Sequence, residues 1–177
     1  EIYHWLLKYG NRLKPYITDV GFFLTELIAN DKNIMFEAQL GALRDIDFGI
    51  YPYTTSSSTL AAYATIGAGI PGEKLDKIIG VVKAYSSCVG EGPFTVEMEG
   101  EEAEKLREEG QEYGAATGRP RRVGAFDAVA TRYGCLVQGA DEIALTKLDV
   151  LSYMEEIPVC VAYELDGKRF EDFPTGE

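Results

Sequence analysis

Two β-branched runs bracket two helical patterns in the second half of this chain. Ile78-Ile79-Gly80-Val81-Val82-Lys83-Ala84-Tyr85 reads as a strand. Glu101 to Glu109 is charged throughout except for an apolar seam at Ala103 and Leu106, the pattern of a solvated helix. Phe126, Val129, Ala130, Tyr133 and Val137 then recur at helical spacing, with Gly139 placed to end the helix. Ile143-Ala144-Leu145 reads as the next strand, ending at Thr146. Val159, Val161, Tyr163 and Leu165 alternate into Asp166-Gly167, a two-residue hairpin signal. Strands alternating with helices favour an α/β fold, with a mostly parallel central sheet flanked by helices and a β-hairpin near the C-terminus.

The first half is less regular. Ile17, Val20, Phe23, Leu24, Leu27 and Ile28 predict a helix over Ile17 to Ala29, opened by Pro15 and Thr18 and ended by Asn30. Ile34-Met35-Phe36 is too short for a helix and reads as a buried strand. From Glu37 to Thr59 the chain reads as a loop. Its hydroxyl run Thr54-Thr55-Ser56-Ser57-Ser58-Thr59 is expected to feed the N-terminus of a helix over Leu60 to Ile66. Asp45 and Asp47 flank Ile46 and would share one side of a strand.

Composition narrows the partners. The 177 residues suit about one domain, and 46% apolar content can bury a core and argues against disorder. Seventeen Lys and Arg against 29 Asp and Glu give −12, which argues against duplex nucleic acid or an anionic membrane as partner. No apolar run approaches the ~20 residues of a membrane span, and Glu1 to Tyr9 lacks the layout of a secretory signal. Cys88, Cys135 and Cys160 lie far apart with no CxxC, which fits a reducing, cytoplasmic setting. Beginning at Glu1 and stopping at Gly176-Glu177, the chain is expected to be a piece of something longer.

Three segments carry chemistry. Gly114-Ala115-Ala116-Thr117-Gly118-Arg119-Pro120-Arg121-Arg122 crowds three arginines into four positions of an acidic chain. Small residues before them admit a ligand close to the backbone, and guanidinium forks recognise carboxylates and phosphates. The bland alternative is that these arginines answer the acidic stretch Glu97 to Glu112. Thr146-Lys147-Leu148-Asp149 sits at the carboxyl end of a predicted strand, where open α/β sheets bind ligands. An Asp there can accept from the N–H edge of guanine, while adenine would leave it unpaired; the alternative is an ordinary surface strand end. The hydroxyl run could hold a phosphate or simply cap a helix. Gly67-Ala68-Gly69-Ile70-Pro71-Gly72 matches G-x-G-x-x-G by letter, but a helical pattern precedes it and Pro71 interrupts it, so a helix-ending turn is expected. His4, beside Trp5 near the chain start, is the one histidine and so the one possible base for a Ser–His or Cys–His dyad, and a catalytic role for it is not expected.

Taken in order, Phe36-Glu37-Ala38-Gln39, Asp45 through Ser57, Lys83-Ala84-Tyr85-Ser86, Val89-Gly90-Glu91-Gly92-Pro93-Phe94, Gly118-Arg119, Thr146 through Leu151 and Val159-Cys160-Val161-Ala162-Tyr163 resemble the central part of the adenylosuccinate synthetase family. The resemblance implies an α/β catalytic domain of which residues 1–177 are the central fragment. It implies a GTP-dependent C–N ligase that joins L-aspartate to IMP with magnesium, giving adenylosuccinate, GDP and phosphate, in a cytoplasmic homodimer. It implies that Gln39 contacts IMP, although an ungapped count back from Thr55 puts Leu40 there. Thr55 would hold the IMP phosphate. Ala115, Ala116, Thr117, Gly118, Arg119, Pro120 and Arg121 would form the aspartate loop, with Arg119 also touching IMP and Arg121 shared with GTP. Lys147, Leu148 and Asp149 would recognise guanine. Ala116 stands where Thr is common, and Pro120 where a further Arg is common. The bond-making groups and magnesium ligands of the family would lie outside this chain. A different class of protein, a non-catalytic purine-nucleotide-binding module, shares the same anion-binding segments.

Overall fold

Asp19, rather than Thr18, opens the first apolar helix: its carboxylate accepts from the N–H of Phe22 at 3.0 Å. The helix therefore runs Val20–Ala29, and Asn30 closes it as expected. The computed structural model describes residues 1–38 and 40–174, which fall into two compact units. The first, Glu1–Ala38 with Tyr63–Leu75, holds α1 (Ile2–Leu13), α2 (Val20–Ala29) and α3 (Tyr63–Gly67). Helix α1 was not expected, and no residue of α1 or α2 is buried. The predicted strand at Ile34-Met35-Phe36 does not form: Met35 is 86% exposed and no neighbouring strand supplies the ladder.

Helix α3 starts at Tyr63, later than predicted, and the residues before it are tied to side chains distant in sequence. Thr59 N–H donates to Asp45 and Ala61 N–H to Gln138, both at 2.7 Å. The G-x-G-x-x-G letters are the expected turn. Gly69 takes φ +80°, and a Cβ on Gly21 would meet its carbonyl oxygen at 2.9 Å, so α2 and this turn touch through backbone.

The second unit, Gln39–Ala62 with Asp76–Glu177, carries the strands. Strand β1 (Ile79–Lys83) begins them, then β2 (Ser86–Cys88), α4 (Gly100–Gly110), β3 (Arg122–Gly124), β4 (Phe126–Asp127), α5 (Ala128–Gln138), β5 (Glu142–Thr146), β6 (Val159–Cys160), β7 (Tyr163–Leu165) and β8 (Lys168–Phe170). Strand β1 pairs in parallel with β5, from Ile79 opposite Glu142 to Lys83 opposite Thr146. The pair β4–β6 is also parallel, whereas β2–β3 and β7–β8 are antiparallel. The β7–β8 hairpin turns at Asp166 and Gly167, both with positive φ, as the Asp-Gly signal predicts. The architecture is mixed α/β with the expected parallel pairing, but among the described residues the strands form four separate pairs. Apolar side chains stand uncovered on both faces of the β1–β5 pair: Val81 is 74% exposed on one face, and Ile143 and Leu145 are 51% exposed on the other. Parallel sheets are normally covered on both faces.

The core joins α4 to the strand ends. Ala103 and Leu106, the apolar seam of the charged helix, are fully buried against Tyr85, Val123, Val150 and Leu151. Asp127 caps α5 by accepting from Ala130 N–H, and Gly139 ends it in the left-handed conformation. No helix among the described residues is long and apolar enough to cross a membrane.

Candidate functional site

The three arginines do not act alike. The chain leaves α4 at Gly110, passes Glu112, bends through Thr117-Gly118 and returns at Arg121. Backbone bonds close the bend: Gly118 N–H to Gly114 oxygen at 2.7 Å, Gly114 N–H to Arg119 oxygen at 2.8 Å, and Arg121 N–H to Glu112 oxygen at 2.9 Å. Gly118 supplies the positive φ the turn needs, and Thr117 Oγ1 accepts from Arg119 N–H at 3.3 Å. Ala115 through Pro120 are exposed, and Arg119 makes no ion pair among the described residues. Arg121 instead pairs with the buried Glu112, Nη1 to Oε2 at 2.9 Å. Arg122 forms a fork with Glu97, with Nε to Oε1 at 2.7 Å. The bland alternative thus holds for Arg122 and in part for Arg121, because each finds a carboxylate on the acidic stretch. Arg121 retains an unmet donor: its Nε is buried with no partner among the described residues, which is uncommon.

Glu112 was not singled out by sequence reasoning, and it organises this region. Besides Arg121, its Oε1 accepts from Lys83 Nζ and from the Tyr85 hydroxyl, each at 2.6 Å. Burial alone would raise its carboxyl pKa; the bonds from Lys83, Tyr85 and Arg121 outweigh that and hold it below the usual carboxylate range. Tyr85 moves up, first through burial and then through the Glu112 carboxylate. Asp149 also raises the Tyr85 phenol and Arg121 lowers it, so both charges lie within electrostatic reach of one hydroxyl.

The strand ends bring the second segment to the same place. Lys83 and Thr146 are register partners at the carboxyl ends of β1 and β5. Beyond Thr146, Lys147 turns left-handed at φ +62° and donates to Gly110 oxygen at 3.2 Å. A short 3-10 turn, Leu148–Leu151, follows. It buries Val150 and Leu151 and leaves Leu148 and Asp149 exposed. The arginine bend and Lys147 therefore meet at Gly110 to Glu112, the last residue of α4 and the two that follow it.

Thr55 sits in a different setting. The hydroxyl run does not start a helix; its last two residues, Ser58 and Thr59, serve Asp45. That carboxylate is fully buried and accepts from the N–H groups of Asp47, Phe48 and Thr59 and from the Ser58 hydroxyl. Asp45 and Asp47 thus occupy a turn, not one side of a strand. Burial pushes the Asp45 carboxyl up, but these donors win and its pKa falls below the ordinary value. Thr55 N–H donates to Arg44 oxygen at 2.7 Å, and Arg44 Nη1 donates to Tyr53 oxygen at 2.7 Å. Gln138 on α5 grips the end of the run through Thr59 oxygen and Ala61 N–H. Thr55 is half-buried on this braced loop. Gln39 lies outside the described residues; Leu40, the other candidate, is 48% exposed at φ +82°. No cluster of three or more His, Cys, Asp or Glu side chains among the described residues could hold a metal ion.

A sequence model of the adenylosuccinate synthetase family matches residues 1–177. The chain belongs to the adenylosuccinate synthetase family. Adenylosuccinate synthetase of Bifidobacterium longum is 48% identical over 172 residues, covering 97% of this chain and 40% of that protein. The Nostoc punctiforme adenylosuccinate synthetase is 49% identical over 175 residues, covering 99% and 39%. Among solved structures, the fully ligated adenylosuccinate synthetase of Plasmodium falciparum superposes with a TM-score of 0.89 at 40% identity, covering 97% of this chain and 41% of that one. The chain spans less than half the length of the adenylosuccinate synthetases it matches.

Proposed function

We propose that this chain is the central part of an adenylosuccinate synthetase domain and supplies much of its substrate-binding surface. The reaction is ligation of L-aspartate to IMP with GTP. The γ-phosphoryl group of GTP passes to the 6-oxygen of IMP as the N1 proton of the purine is lost, leaving GDP. The aspartate amino nitrogen then bonds to carbon 6, phosphate departs with that oxygen, and the nitrogen releases its proton.

Arg119, exposed and without a carboxylate partner among the described residues, clamps anionic groups of aspartate and IMP. Arg121, with one Nη committed to Glu112 and its Nε unmet, serves aspartate and GTP. Thr117 and the small residues Ala115, Ala116 and Gly118 let the backbone approach aspartate. Thr55 takes the IMP phosphate, Gln39 contacts IMP, and Lys147, Leu148 and Asp149 read guanine. Magnesium belongs to this reading, but the described residues do not fit its site; its ligands and the proton-transfer groups are assigned outside this chain. The setting is a cytoplasmic homodimer, with neither nucleic acid nor membrane as partner.

The single observation behind this reading is the convergence of the arginine bend and Lys147 on Gly110 to Glu112. The test is direct. The full-length protein is supplied with IMP, aspartate, GTP and magnesium, and adenylosuccinate is followed by its absorbance. Product that depends on all four supports the reading; nucleotide binding without product would favour a non-catalytic module.

A further inference from the structure

We infer that Glu112 is a positioning residue for substrate binding: it holds Arg121 at the base of the arginine bend and ties that bend to the strand ends that carry the nucleotide segment. This inference rests on the proposed ligase reading and adds a residue to it.

The geometry around Glu112 is unusually complete. Its side chain is 3% exposed and meets three donors from two parts of the chain: Lys83 at the end of β1 with Tyr85 just beyond it, and Arg121 on the return arm of the bend. Its main chain is committed as well. Glu112 N–H donates to Arg107 oxygen and Glu112 oxygen accepts from Arg121 N–H, both at 2.9 Å. Arg107 Nε donates to Arg121 oxygen at 3.0 Å, so Arg121 is held by side chain, N–H and carbonyl together. A guanidinium has five donors, and Glu112 engages one nitrogen. Holding the guanidinium at one nitrogen restricts the side-chain freedom it would otherwise lose on binding, which is how preorganisation raises affinity.

The same cluster reaches the nucleotide segment. Lys83 stands in register with Thr146, and the next residue, Lys147, holds Gly110, two positions before Glu112. A buried carboxylate with two cations and a phenol could be structural alone, so the test must separate holding the fold from aiming Arg121.

The test uses the full-length protein and Glu112→Gln, which keeps shape but removes the charge. The expected result is a rise of about tenfold in the aspartate and GTP KM values, with IMP KM changed less than about twofold, at a temperature well below unfolding. In a double-mutant cycle, adding Glu112→Gln to Arg121→Leu is expected to lower kcat/KM for aspartate no further, because Glu112 acts through Arg121. Unchanged KM values with only a lower melting temperature would overturn the inference, as would additive losses in the cycle. If Glu112→Gln does not yield folded protein, Tyr85→Phe removes one donor from the same carboxylate and is read by the same KM split, with a rise of about two- to threefold supporting the inference and no rise overturning it. Lack of ligase activity in the unsubstituted protein would instead sink the functional reading, so the two failures are distinguishable.

Discussion

The ammonium of Lys147 donates to the carbonyl oxygen of Gly110 at 3.2 Å, so the segment assigned to guanine also caps the C-terminus of α4. A cation at that end satisfies an orphan carbonyl and suits the helix dipole. Replacement by Met removes both contributions. Lys147→Met is expected to cost about 0.5–1 kcal/mol in urea-induced unfolding of the full-length protein. A larger loss would mean that the lysine stem also packs against the fold.

Asp149 has no such structural duty for its carboxylate. It is exposed on the 3-10 turn, and the Ser152 bonds go to its main-chain oxygen. Asp149→Asn is therefore expected to leave stability unchanged while lowering the preference for GTP over ATP by about 10- to 100-fold, the scale of a charged hydrogen-bond pair. Competition kinetics with both nucleotides measures this, and an unchanged ratio would remove Asp149 from guanine recognition.

Arg119 and Arg121 separate cleanly. Arg119→Leu loses an exposed side chain without a carboxylate partner, so unfolding should shift by less than about 0.5 kcal/mol while the aspartate KM climbs. Arg121→Leu leaves the buried Glu112 short of a cation. It should lower stability by about 1–3 kcal/mol as well as raising the aspartate KM and reducing kcat. Thermal melts beside steady-state kinetics distinguish the two patterns; equal melting temperatures would contradict the Glu112 contact.

Acid should test the carboxylates held by hydrogen bonds, the buried Asp45 and Glu112 and the exposed Glu97. Asp45, Glu97 and Glu112 all have folded pKa values below their ordinary ones of 3.8, 4.5 and 4.5. A depressed folded pKa contributes stability that is present above the unfolded value and lost as pH falls through the folded one. Denaturant midpoints should therefore be flat from neutral pH down to about pH 5 and drop below pH 4. Asp45→Asn should lower the plateau and flatten the drop. A midpoint falling between pH 8 and 6 would point to other groups.

Gly110 has no room for a side chain: a Cβ there would lie 2.6 Å from the Tyr85 hydroxyl. That hydroxyl is already held by Glu112, so it cannot move without breaking a buried hydrogen bond. Gly110→Ala should cost about 1–3 kcal/mol despite the better helix propensity of alanine. A stabilised variant would show that Tyr85 yields freely.

Local signals were legible wherever backbone preference decided the outcome. The Asp166-Gly167 hairpin, the Gly139 helix end, the Ala103 and Leu106 seam and the G-x-G-x-x-G turn all depend on residues a few positions apart. Ile34-Met35-Phe36 failed because a strand needs a partner, and the stretch around Leu60 is tied instead to Asp45 and Gln138 by bonds that span 14 and 77 positions. The same distance problem hid Glu112, whose partners lie 29, 27 and 9 residues off. One signal was available: a Glu two residues beyond a helix and seven residues before the first arginine of the cluster.

By itself the sequence determined the family and the order of most helices and strands, because these follow from residue types and near-neighbour spacing. Only the tertiary structure decided which arginine stays free, which is shared and which is spent on Glu97. That choice depends on burial and donor geometry at carboxylates brought in from distant parts of the chain, and a charge pattern alone does not reveal which oppositely charged groups come within three ångströms of one another.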